Sequence, residues 1–162
     1  MTLHDSIGAT AVVAFLYGGD AIIGHVGDCR AYTLRQGNLR QLTRDQTVIE
    51  ELIQAGKLTE QQAKDHPAVG EVSQAIGCEP TIEPAFYHVT IAPGDWLILA
   101  SDGLQADLDL KDIETAVKRT NLSPGGLANH LVELANKSGG SDNCTVVVVR
   151  AYAPNSDRAS QR

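Results

Sequence analysis

The sequence predicts an α+β fold with mainly antiparallel sheets. Three observations carry this. Hydrophobic periodicity comes in blocks (strands, helices, strands, helices, one last strand) rather than in strict strand–helix alternation. Turn residues that favour tight antiparallel connections break the strand blocks. The helical blocks bring their own start and stop signals. At 162 residues the chain is the size of one domain. It can bury roughly two thirds of its unfolded surface, so folding requires neither disulfide nor metal.

Taken in order, "TAVVAFLYGGDAIIGHVGDCRAYTLRQGNLRQLT" is dense in β-branched and aromatic residues, with Gly18-Gly19-Asp20 and Gln36-Gly37-Asn38 as its breaks. That spacing predicts a four-strand meander over residues 9 to 43. The period then changes. In "TVIEELIQAG", Thr47 and Glu50 form a capping box, Val48, Ile49, Leu52 and Ile53 share a face, and Gly56 stops the helix. "TEQQAKDHP" repeats the device with Thr59, Gln62 and Pro67. Strand character returns over residues 81 to 101, with a turn at Pro93-Gly94-Asp95 between "FYHVTIA" and "WLILA". Asp109 caps "LKDIETAVKR". Ser123 and Pro124 open a second helix through about Lys137, lined on one side by Leu127, Leu131 and Leu134 and ended by Gly139-Gly140. "CTVVVVR" is a closing strand whose unbroken apolar run predicts burial on both faces. One domain, residues 1–152, is expected, followed by a mobile tail at 153–162 without an apolar anchor.

Composition excludes several classes. An apolar content of 43% with 20% charged residues is ordinary for a globular protein and argues against disorder or fibre. A formal charge of −7 argues against docking on nucleic acid or an anionic membrane. Cys29, Cys78 and Cys144 are odd in number and lack C-x-x-C spacing, so neither a disulfide framework nor a zinc knuckle is expected. The apolar runs are far shorter than the ~20 residues a membrane-spanning helix needs, and "MTLHDSIGAT" does not read as a signal peptide. These features lead to the expectation that the chain is cytoplasmic or free in solution.

Three aspartates share one setting, at strand ends beside small turn residues: Asp28 after "IIGHVG", Asp102 after "LILAS", and Asp142 before "CTVVVV". Two readings stay open. Each is a turn residue capping local amides, or the three converge on a cation that relieves their mutual repulsion. Oxygen ligands without a Cys or His pattern point to a hard ion, Mg²⁺ or Mn²⁺. His4, His25, His66, His88 and His130 are scattered and read as surface or satisfied core residues. Cys29, beside Asp28, reads as a small packed side chain rather than a nucleophile, because a neighbouring carboxylate raises a thiol pKa. No P-loop, G-x-S-x-G, H-E-x-x-H or G-x-G-x-x-G motif occurs.

The spaced set "VGDCRAY", "LTRDQT", "ASDGL" and "SDNCTVVVV", over Gly8 to Arg150, resembles the bacterial form of the metal-dependent Ser/Thr protein phosphatases of the 2C (PPM-type) family. The resemblance implies an αββα sandwich, two antiparallel sheets face to face with helices outside, incomplete at the N-terminus. It implies that Asp102 and Asp142 hold a first metal and that Asp28 helps hold a third ion, with no covalently modified side chain. It makes residues 45 to 76 a flap beside the site. It implies Mn²⁺ or Mg²⁺, a phosphoserine or phosphothreonine protein as substrate, and a Ser/Thr kinase as functional counterpart. In the family, two metals lower the pKa of a shared water that attacks phosphorus in line.

The R-x-x-N-E-D and D-G-M-G-G-H segments of the family do not occur in these 162 residues. Roughly the first third of the usual domain is therefore expected to be missing or supplied separately. The alternative reading is a catalytically inactive phosphatase-like binding or regulatory module. Sheets that lack strands expose edges, so a homodimer or other covered edge is expected.

Overall fold

The computed structural model describes residues 7–78, 80–118 and 122–153. All of the expected tail except Ala153 lies outside them, as does His4. The expected meander forms its four strands: β1 Ala11–Tyr17, β2 Asp20–Val26, β3 Arg30–Arg35 and β4 Asn38–Gln41. They do not stay in one sheet. Between β2 and β3 the chain crosses to a second sheet at Gly27. There φ is +96°, and a Cβ would stand 2.2 Å from Thr10 Cγ2, so only glycine fits the corner.

The segment expected to form the flap, residues 45 to 76, follows with two short helices, α1 Val48–Gln54 and α2 Glu60–Ala63. Thr47 accepts a hydrogen bond from the Glu50 amide, and Thr59 with Gln62 completes a reciprocal box. Strands β5 Ala85–Thr90 and β6 Trp96–Ala100 lie in different sheets, so residues 91–95 form a crossing rather than a hairpin turn. Three helices come next: α3 Gly103–Asp107, α4 Leu110–Lys118 and α5 Pro124–Ser138. Asp109 Oδ1 accepts from the Asp112 amide at 2.8 Å at the start of α4, and Ser123 caps α5 with Pro124 in its first turn. Strand β7, Val146–Arg150, closes the chain.

The sheets are β1-β2-β5 and β4-β3-β6-β7, antiparallel throughout. Alternation along β6 divides the core. Trp96, Ile98 and Ala100 face the helices and meet Leu104, Ile113, Leu127 and Leu131. Leu97 and Leu99 face the other sheet and meet Ala21 and Ile23. Each fully buried Leu or Ile contributes about 1.5–3 kcal/mol, so β6 is held on both faces.

Two expectations need correction. β7 is an edge strand: Val146 and Val148 pack on the helical side and Val149 on the sheet side, but Val147 is 51% exposed because the facing sheet has only three strands. His25 is not a satisfied core residue. It is buried, yet neither ring nitrogen has a hydrogen-bond partner among the described residues. The outer face of the three-stranded sheet carries exposed Val13, Phe15, Tyr17, Ile22 and Phe86.

Candidate metal centre

The loop after β2 places Asp28. Gly27 donates to Gln46 Oε1 at 2.8 Å, and its carbonyl accepts from the Gln46 amide at 2.8 Å, tying the corner to the root of the flap. Asp102 ends the β6 run and caps α3, its carboxylate accepting from the Gly103 amide at 3.0 Å. The expected turn after Asp102 is therefore the first turn of a helix that the sequence reading did not assign. Asp28 and Asp102 line one cavity of about 510 Å³ together with Arg30, Asp45, Gln105 and flap residues including Lys64 and Gly70.

Burial first, and then the Asp102 charge, raise the Asp28 carboxyl above its ordinary value. Two carboxylates that feel each other across a part-buried cavity, with oxygen donors only, fit a hard divalent cation, which would relieve both penalties. Among the described residues no group of three or more Asp, Glu, His or Cys side chains comes together as a metal cluster.

Asp142 sits differently. It is exposed, accepts from the Asn143 amide at 2.6 Å, and lines a separate polar hollow with Asn136 and Asn143. Its loop is nonetheless joined to that of Asp102. The Ser101 hydroxyl donates to the Asn143 carbonyl at 3.2 Å and accepts from the Thr145 amide at 2.9 Å. Gly103 packs so close that a Cβ would stand 2.4 Å from the Asn143 carbonyl oxygen. Asp107 holds Ser141 through its amide at 2.8 Å and its hydroxyl at 3.0 Å. The structure therefore brings Asp28 and Asp102 side chains to one cavity and joins Asp142 to them through its loop. Local amide capping, the other reading of these aspartates, is also present at Asp102 and Asp142.

Sequence reasoning missed the residues that hold this arrangement. Arg30 forms a two-armed pair with Asp45, with Nε at 2.9 Å and Nη2 at 2.6 Å, and side-chain exposures of 27% and 15%. Burial opposes the Arg30 charge, but Asp45 outweighs it and raises the pKa. The residues stood inside the quoted "VGDCR" and "LTRDQT" segments, but nothing in spacing alone pairs them. Gln105 was missed because α3 was. Cys29 fits the packed reading: it is buried, 3.0 Å from Thr10 Oγ1, and burial above all, then the Asp28 and Asp102 charges, pushes its thiol pKa up.

Comparisons with known proteins follow the same lines. Residues 1–52 match the family described as Protein phosphatase 2C. The chain is 36% identical over 149 residues to Protein phosphatase PhpP of Streptococcus pneumoniae, covering 90% of this chain and 59% of that protein. It is 33% identical over 145 residues to Serine/threonine phosphatase stp of Listeria welshimeri, covering 90% and 57%. Among solved structures, the S. agalactiae serine/threonine phosphatase superposes with a TM-score of 0.86 at 35% identity, over 91% of this chain and 61% of that one. The catalytic domain of PstP in complex with 2 manganese ions gives 0.76 at 31% identity, over 90% and 60%. The chain thus spans about three fifths of the length of each relative.

Proposed function

We propose that the chain, whose residues 1–52 match the protein phosphatase 2C family, belongs to that family and contributes Asp28, Asp102 and Asp142 to the metal-dependent centre of a protein serine/threonine phosphatase. The observation that supports this most directly is the meeting of Asp28 and Asp102, from two different parts of the chain, in one cavity where burial and then the Asp102 charge raise the Asp28 carboxyl. Mn²⁺ or Mg²⁺ is the ion, and phosphoserine or phosphothreonine proteins are the substrates. A Ser/Thr kinase is the counterpart that supplies them, and the cytoplasm is the setting. Among the described residues no helix is long and apolar enough to cross a membrane.

Bound there, a divalent cation supplies Lewis acidity that activates water and offsets charge on phosphoryl oxygens. The chain's own residues hold the ion and shape its surroundings. Asp28 and Asp102 offer carboxylate oxygens. Ser101 and Gly103 keep the Asp142 loop beside them. The Arg30–Asp45 pair fastens the start of β3 to the root of the flap, which keeps that wall of the cavity in place.

Self-association through the exposed Phe15, Tyr17 and Phe86 face also belongs to this proposal. Calorimetric titration with Mn²⁺, combined with phosphate release from a phosphopeptide, tests the reading. Asp102→Asn is expected to remove Mn²⁺ binding and any turnover. Mn²⁺ binding indifferent to that change would sink the metal role. Binding of a phosphopeptide without metal or turnover would favour the inactive binding module instead.

A further inference from the structure

Gln105 lies in the first turn of α3, whose cap is Asp102, and its amide donates to the Asp102 carbonyl at 3.0 Å. Its side chain reaches the other way. Nε2 donates to the Asp28 backbone carbonyl at 3.1 Å, and Oε1 accepts a longer bond from the Tyr32 hydroxyl at 3.4 Å. Tyr32 is 1% exposed and locked in the helix-facing core, so the hydroxyl that orients the amide is itself fixed. One residue thus spans the two segments that carry Asp28 and Asp102, which the β3–β6 pairing of Arg30 with Ala100 sets side by side. Nothing else among the described hydrogen bonds links the Asp28 segment to α3.

From this bridge we infer that Gln105 is a positioning residue that sets the separation of Asp28 and Asp102, and so the size of cation their site accepts. The inference rests on the proposed metal reading. A separation held by a side-chain amide on a core-anchored hydroxyl suits Mg²⁺ and Mn²⁺. Mg²⁺ in particular demands near-ideal geometry, whereas Ca²⁺ takes a wider and more adaptable shell. Partners of this outer kind are commonly worth 10–100-fold in metal affinity.

The test is calorimetric titration of the chain with Mn²⁺, Mg²⁺ and Ca²⁺ separately, for the parent, Gln105→Leu, Tyr32→Phe and Asp102→Asn, with thermal unfolding recorded for each. Gln105→Leu is expected to weaken Mn²⁺ and Mg²⁺ about tenfold while Ca²⁺ falls less, shifting the ratio toward Ca²⁺. Tyr32→Phe keeps the ring in the core and is expected to shift the ratio in the same direction by a smaller factor, so the inference remains testable if the leucine variant folds poorly. An equal loss for all three ions, or no loss in either variant, overturns the inference. If Asp102→Asn still abolishes binding, the metal reading survives that result. A parent chain that binds none of the ions overturns both.

Discussion

Replacing Gly103 with alanine isolates the contact between the two aspartate loops, because two physical effects there have opposite signs. Gly103 opens α3, and helix propensity alone favours alanine by about 1 kcal/mol. The added Cβ, however, would stand 2.4 Å from the Asn143 carbonyl oxygen, 2.7 Å from its carbonyl carbon and 3.1 Å from Cys144 Cα. Carbon atoms prefer separations of about 3.5–4.0 Å, so the loops would have to part by roughly 1 Å. They cannot part freely, since Ser101 hydrogen-bonds the Asn143 carbonyl and the Thr145 amide. Overpacking costs about 1–3 kcal/mol, and obstruction by backbone rather than a flexible side chain puts this case at the upper end.

The net expectation for Gly103→Ala is therefore a loss of about 2 kcal/mol, which for a chain of this size lowers the melting temperature by about 4–8 °C. Urea unfolding should show a lower midpoint with an unchanged slope. Gly125→Ala is the control. Gly125 is also helical but has nothing within 4 Å of its added Cβ, so it is expected to gain about 0.4–1 kcal/mol. A Gly103→Ala chain as stable as its parent would refute the close-contact argument. Because the shift separates Asp102 from the Asp142 loop, Mn²⁺ affinity is expected to fall as well.

Other expectations follow from single sites. Burial, the largest cause, lowers the His25 pKa below the ordinary 6.5, against a smaller opposing effect of the Asp45 charge. The unfolded chain therefore takes up a proton first as pH falls, so stability is fullest above 6.5 and declines below it. His25→Leu should flatten that decline in urea titrations between pH 7 and 5. Asp45→Asn leaves Arg30 without its charge partner and is expected to cost about 2–3 kcal/mol. That is below the 3–5 of full burial because Arg30 keeps 27% exposure. Leu131→Ala empties a fully buried position among Ile98, Leu104 and Leu127 and should lower stability by about 2–5 kcal/mol in the same assay. Phe15→Thr with Tyr17→Thr should shift light-scattering mass toward the monomer if the open face self-associates.

Most elements were legible in the sequence because their signals are local. Thr47, Thr59, Asp109 and Ser123 start helices through hydrogen bonds within one turn, and each does so here. The apolar run "WLILA" announced strand β6, which the structure holds on both faces. The reading of burial on both faces failed for β7, since "TVVVV" reads identically whether a strand is central or at the edge. Position in the sheet is a long-range property. Helix α3 was missed because its five residues, "GLQAD", are too few for a period to register.

The sequence by itself determined the strand and helix blocks, the acidic oxygen-donor chemistry, and the three aspartates at strand ends. These depend on residue types and near neighbours. Tertiary structure alone decided that the first four strands divide between two sheets, that Asp28 and Asp102 share a cavity while Asp142 faces a neighbouring hollow, and that Arg30, Asp45 and Gln105 hold the cavity's walls. Those outcomes rest on contacts between residues 15 to 77 positions apart, and no local pattern specifies which distant partner a side chain will meet.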